Sequence, residues 1–175
     1  DRRSPSKYVM PEIQLADAVK PNSAKEARQA KRLDQLASFL PKGDPERGEK
    51  LFNDPAKSLC ITCHVKEDKG VHFGPDLTRI GAIRTERDLL EAIVYPSSTI
   101  ARYYELVTVE TKKGEAAGLL RRDSVGEMVL GPAPGAEQTI PFKEIRKAKY
   151  SNLSLMPEVF DNLLKPDEIA DLVAY

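Results

Sequence analysis

The chain has 175 residues, and its 27 lysines and arginines balance 27 aspartates and glutamates, so the formal net charge is zero. That balance lacks the basic surplus that nucleic-acid binding needs. No apolar run approaches the ~20 residues of a membrane-spanning helix. Two cysteines are too few for a disulfide-built scaffold. No apolar stretch of the signal-peptide kind follows Asp1-Arg2-Arg3-Ser4-Pro5, and a mature or excised chain would look the same.

Residues 1–22 are interrupted by prolines and show little periodicity, so they read as an extended arm. Ser23 to Leu40 predicts a helix capped by Ser23, with Leu33, Leu36 and Phe39 or Leu40 along one edge. A second helix is expected over Asp44–Phe52, with Asp44 as N-cap, Pro45 at the first position and Glu46 against the dipole. Gly48 inside it costs ~1 kcal/mol relative to alanine. Such a glycine is either merely tolerated or marks a close helix crossing. Thr85 and Asp88 resemble a capping box for a short helix carrying Leu89, Leu90 and Ile93. Residues 105–111, 115–121, 127–130, 138–142 and 145–150 read as strands of a small antiparallel barrel or curled sheet. Pro166 with Asp167 and Glu168 opens a last helix that presents Ile169, Leu172 and Val173. Lys165 is a poor N-cap, so that helix is expected to start softly.

The chemistry concentrates at Cys60-Ile61-Thr62-Cys63-His64. A disulfide across so short a loop gains little and is strained. A thioredoxin-like pair wants a strand before the motif and a helix after it. Closed zinc coordination needs four ligands, and the chain offers Cys60, Cys63, His64 and His72, with two of them adjacent. The C-x-x-C-H pattern is that of covalent haem attachment. Two thiols at this spacing form thioethers to the two vinyl groups on one edge of the porphyrin. The next residue's imidazole then falls beneath the iron. This fourth reading fits the motif best.

Gly48, Phe52, the Cys60–His64 motif, Gly74-Pro75-Asp76-Leu77, Met156-Pro157, and Leu172 with Tyr175 together resemble class I cytochrome c. Residues 101–150 lengthen the middle of the chain. With Gly74–Gly81, Leu89–Ile93, Pro96-Ser97-Ser98, Val107–Gly114 and Ser154–Pro157, they make it most similar to the planctomycete/verrucomicrobial-type haem-binding domain. The resemblance implies a mainly α cytochrome c fold interrupted by a small antiparallel β insertion. Residues 1–40 would be an N-terminal arm and helix, 41–100 plus 151–175 the cytochrome body, and 101–150 the insert. It further implies a C-terminal piece of a longer protein. One haem c would be held by Cys60 and Cys63, with His64 and Met156 as iron ligands and the Pro75 carbonyl orienting His64. Met10 falls in the arm and Met128 in the insert, so Met156 is the methionine at the family's position. Arg79 and Arg84 are candidates to pair with the haem propionates. In the same family the first and last helices cross at the glycine, here Gly48 against Leu172 and Tyr175.

The implied function is electron transfer, with no enzymatic activity of the domain itself, toward a redox partner protein or a fused dehydrogenase region. Two other readings stay open. One is a gas-binding or peroxidase-like haem, for which His72 is the spare histidine. The other is an interaction module built on residues 101–150, in which Tyr103 and Tyr104 read as packing at the entry to the insert. Covalent haem attachment is completed outside the cytoplasm, so a periplasmic or otherwise extracytoplasmic location is expected. The neutral total also hides a polarity: residues 41–100 with 151–175 carry −5 and the rest of the chain +5.

Overall fold

The computed structural model describes residues 10–175, without the side chains of residues 123 and 124. In chain order it contains β1 (Ile13–Gln14), α1 (Ser23–Ala37), α2 (Pro45–Phe52), β2 (Val65–Lys66), β3 (Lys69–Gly70), α3 (Glu86–Val94), β4 (Leu106–Thr111), β5 (Gly114–Ser124), β6 (Glu127–Gly131), β7 (Gln138–Pro141), β8 (Ile145–Tyr150), α4 (Phe160–Leu163) and α5 (Pro166–Ala174). Short 3₁₀ turns lie at Leu40–Lys42, Cys60–Thr62, Ile80–Ala82 and Phe142–Glu144. The elements form two compact units. A helical unit comprises Lys20–Thr99 and Met156–Tyr175, and a sheet unit comprises Ile100–Leu155 with the described arm residues up to Val19.

In the helical unit the local signals act as their chemistry dictates. The Asp44 carboxylate accepts from the Glu46 and Arg47 N–H groups at the start of α2. Thr85 and Asp88 close a reciprocal capping box on α3. Asn22, not Ser23, caps α1 by accepting from the Lys25 N–H. A lysine side chain cannot accept, so the start of α5 is held from the other side. The Glu168 carboxylate accepts from the Lys165 N–H at 2.9 Å and also pairs with Lys57. The start expected to be soft is therefore tied down.

The core of this unit joins Leu33 and Leu36 of α1, Leu51 of α2, Leu90 and Val94 of α3, Phe160, Leu164, and Ile169 and Val173 of α5. Helix α1 thus belongs to the helical body. Arg32 forks onto Asp161, with Nε to Oδ2 at 2.9 Å and Nη2 to Oδ1 at 2.6 Å. Helices α2 and α5 cross at Gly48, where an added Cβ would lie 2.0 Å from the Asp171 carbonyl oxygen and 2.7 Å from Tyr175 Cβ. Tyr175 is one of the two neighbours expected there, and the closest approach is made by the Asp171 backbone.

Asp171 is a buried carboxylate that sequence periodicity did not single out. It accepts from Arg47 Nε and Nη2, each at 2.7 Å, and from the Asp44 N–H at 2.8 Å. The Arg47 guanidinium holds its carboxyl below the usual range, burial works against this, and the Asp44 N–H adds to the lowering. A lowered folded-state value means that the stabilisation is complete above the unfolded carboxylate value near ~4. It is lost as pH falls through the folded value. Asp171→Asn is therefore expected to be less stable than wild type at neutral pH, with the gap closing below about pH 4. Denaturant melts across that range check this, and a gap that persists unchanged at low pH would contradict it.

The sheet unit has strand order β1-β8-β4-β5-β6-β7, antiparallel throughout except for β1, which runs parallel to β8. Alternation along β4 buries Val107 and Val109 and exposes Thr108 and Glu110. With Met128, Leu130, Ile140, Phe142 and Ala148 they form a separate core. A register shift between Leu120 and Arg122 lets β5 run on to Ser124, beyond the expected end at Arg121.

The mainly α cytochrome c fold with a small β insertion is corrected by this architecture. The chain is mixed, 35% helical and 22% strand. Two physical causes account for the difference. The helices are short and joined by long irregular stretches, notably residues 53–85, where 3₁₀ turns and the β2–β3 hairpin replace α-helix. The sheet also reaches outside residues 101–150 and recruits the arm as its sixth strand. Among the described residues, no helix is long and apolar enough to cross a membrane.

Candidate functional site

Helix α2 ends at Phe52, and the chain returns through Ser58 to the cysteine motif. Ser58 is fully buried, and its hydroxyl donates to the Leu51 carbonyl at 2.6 Å. The same oxygen lies 3.4 Å from the Cys60 N–H as acceptor. Leu59 follows with φ of 62°, a left-handed conformation that is uncommon for a leucine. It opens the 3₁₀ turn Cys60–Thr62, closed by Cys63 N–H to Cys60 O at 3.1 Å and His64 N–H to Cys60 O at 2.9 Å. One turn of helix therefore carries Cys60, Cys63 and His64. Both cysteines are free thiols. Burial pushes the Cys60 thiol up, with Ser58 partly offsetting it.

His64 is the most closely determined side chain here. Its Nδ1 lies 2.8 Å from the Pro75 carbonyl oxygen. A carbonyl can only accept, so Nδ1 carries a proton, and in the neutral ring Nε2 keeps its lone pair. Burial lowers the His64 value, and the Pro75 hydrogen bond opposes it. Gly74 lies against the ring. A Cβ there would sit 2.6 Å from Cε1, 2.9 Å from Nδ1 and 3.2 Å from Nε2.

A folded-back loop supports this arrangement. Strands β2 and β3 form a hairpin whose two turn residues, Glu67 and Asp68, both have positive φ. Such a pair suits the right-handed strand twist. The Cys63 carbonyl accepts from the Phe73 and Gly74 N–H groups at 3.1 and 2.6 Å, and Val65 O accepts from the Leu77 N–H at 2.8 Å. Thr78 Oγ1 accepts from the Glu67 N–H at 3.0 Å. At Gly70, with φ of 110°, a Cβ would come within 2.1 Å of the His64 carbonyl. The segment from 63 to 78 is thus closed on itself around the imidazole.

The other candidates are placed differently. Met156 is half-buried and packs against the helical core. Arg79 is exposed and N-caps the Ile80–Ala82 turn through its backbone, and Arg84 and His72 are also exposed. Tyr104 is half-buried, but Tyr103 is 78% exposed with φ of 71° and the Arg102 guanidinium over its ring, so it is not packing. Among the described residues, no group of three His, Cys, Asp or Glu side chains gathers as a metal-ion site. Cys60, Cys63, His64 and His72 therefore do not form the zinc centre weighed above.

Sequence reasoning missed Ser58, the left-handed Leu59 and the β2–β3 hairpin. A buried serine between two exposed neighbours has no periodic signature. The hairpin turn is Glu-Asp, which lacks the usual glycine or asparagine signal.

The donor set fits a covalently held haem. Two free thiols stand three positions apart on one turn, next to a neutral imidazole with Nδ1 fixed and Nε2 available. The absence of a Cβ at Gly74 leaves room for the ring in that orientation. No protein-family model matches the chain, and no curated protein matches it.

Proposed function

We propose that the chain is a monohaem c-type electron-transfer protein. Cys60 and Cys63 would hold one haem c through thioethers, His64 would be the proximal iron ligand and Met156 the sixth. The observation that carries this reading is the 2.8 Å hydrogen bond from His64 Nδ1 to Pro75 O beside two free thiols. A metal-ligating histidine is characteristically oriented in this way through its other nitrogen. The haem would supply one-electron redox chemistry.

The chain's own residues fix and insulate that group. Pro75 and Gly74 set the ring's orientation. Ser58 joins the end of α2 to the attachment turn. Leu51, Phe52 and Phe73, before and after the motif in the chain, are buried. Arg79, exposed near the loop, is the candidate partner for a propionate. A redox partner protein or fused dehydrogenase region would exchange electrons with it in an extracytoplasmic compartment, where thioether attachment is completed.

Met156→Ala tests the ligand set. The ferric holoprotein is expected to be low-spin with the far-red methionine–iron band, and the variant to lose that band while keeping its haem. A wild-type protein that is high-spin across neutral pH would overturn the assignment of Met156.

A further inference from the structure

Lys66 is the second residue of β2 and follows His64 by two positions, so their Cα atoms lie no more than ~7 Å apart. Its side chain is only 13% exposed, although lysine is ordinarily a solvated residue. The ammonium sits over the Tyr175 ring, 4.1 Å from its centroid. That is well inside the range of a cation–π contact. Tyr175 in turn leans on buried Phe52, with ring centroids 5.6 Å apart and planes tilted by 59°. Glu67 Oε1 lies 3.7 Å from Lys66 Nζ, but that carboxylate is 62% exposed. Val71 N–H donates to His64 O at 3.3 Å, so the loop that carries Lys66 also holds the histidine backbone.

Lys69, on the other strand of the hairpin, is placed differently. It reaches Glu49 of α2 at 3.3 Å, and both side chains are open to water. Water and salt screen a pair of that kind. A covered ammonium is screened much less. An aromatic face holds the ammonium without neutralising it, because the ring brings a quadrupole and no net charge. Glu49, Glu67 and Lys69 are the other charges acting on the Tyr175 hydroxyl. A positive charge fixed near a redox centre favours the state that holds one more electron.

We infer that Lys66 tunes the reduction potential of the haem held by His64, raising it through a charge that Tyr175 keeps seated and largely out of water. This rests on the haem attachment proposed above. The Lys66 stem and the Tyr175 ring supply packing, and the charge supplies the redox effect.

The test uses the holoprotein and follows two readouts: reduction potential by spectroelectrochemistry at low and high salt, and stability by denaturant melts. Lys66→Met keeps the stem and removes the charge. It is expected to lower the potential, shifting the ferrous-to-ferric ratio at a fixed applied potential about three- to tenfold, or ~30–60 mV for one electron. The shift should survive high salt, because the ammonium is covered. Lys66→Arg and Tyr175→Phe keep a cation over a ring and should stay within about twofold of wild type. Tyr175→Leu removes the seat and should lower the potential as well. Lys69→Met is the control, because it removes an exposed charge of the same hairpin, and it should change the ratio less than about twofold. An unchanged potential in Lys66→Met overturns the inference. So does a fall in Lys66→Arg equal to that in Lys66→Met, which marks lost packing in place of lost charge. An equal fall in Lys69→Met overturns it too, by marking a loosened hairpin. In the melts, Lys66→Met and Tyr175→Leu should be non-additive, and additive losses overturn the contact itself. A wild-type protein without covalent haem sinks the proposed function and the redox role of Lys66 with it. The melts then still decide whether Lys66 and Tyr175 are coupled.

Discussion

Gly48→Ala is expected to destabilise the helical unit by about 2 kcal/mol or more. Two effects oppose each other at this site. Alanine gains ~1 kcal/mol of helix propensity over glycine in a helix interior. Its Cβ would stand 2.0 Å from the Asp171 carbonyl oxygen and 2.7 Å from the carbonyl carbon. The obstacle is backbone on a neighbouring helix, so no rotamer change relieves it. Helices α2 and α5 must separate, and overpacking of this kind costs ~1–3 kcal/mol and occasionally more. Separation also strains the Asp171 contacts with Arg47 and the Asp44 N–H, and the tilted stacking of Phe52 on Tyr175. Packing therefore outweighs propensity. Gly81→Ala is the control, because an added Cβ there meets nothing within 4 Å. It should change stability by no more than ~0.5 kcal/mol. Denaturant melts of the two variants decide the matter, and equal melts would contradict a close crossing at Gly48.

Gly74→Ala is expected to act on the imidazole with little effect on the rest of the fold. The new methyl would press on His64 Cε1 at 2.6 Å, a contact that real Cβ atoms do not make. The ring must turn, and turning it lengthens the Nδ1 bond to Pro75 O. The attachment turn itself is held by Cys60 O and Ser58, so both cysteines keep their geometry. The expected holoprotein retains covalent haem but shows a mixed or high-spin spectrum and a shifted reduction potential. Loss of second-sphere support to a ligand typically costs 10–100-fold in metal affinity or activity. Pro75→Ala leaves the accepting carbonyl in place and should perturb the spectrum much less. If Gly74→Ala keeps a wild-type spectrum and potential, the glycine does not govern the ring.

Much of the helical unit was legible because its signals are local. Asp44 with Pro45, Thr85 with Asp88, and a glycine inside α2 each carry their own physical meaning. Strand β4 was legible from alternation, and β6 and β8 as short runs set off by turn residues. The remainder depends on contacts distant in sequence. Strand β1 is two residues long and has no period to read, and its partners lie at Ala148 and Lys149. Asp171 carries no signal in the sequence, because only the fold brings Arg47 and Asp44 to it. The fold class went astray for the same reason. The helices were counted from strong local signals, whereas the sheet also takes in a two-residue strand from an arm read only as extended chain.

The candidate site divides along the same line. Cys60, Cys63 and His64 were readable as a motif, and Pro75 as a carbonyl within reach. The role of Gly74 needed the ring's position, and that of Ser58 needed the end of α2. Nothing in a run of apolar and small residues indicates that Leu59 must be left-handed.

The most direct measurement is a pyridine haemochrome assay on the purified protein, combined with its intact mass under denaturing conditions. One haem per chain is expected, with the c-type haemochrome spectrum and a mass raised by a single haem that acid–acetone does not extract. A chain that carries no haem, or releases it on extraction, would contradict covalent attachment through Cys60 and Cys63.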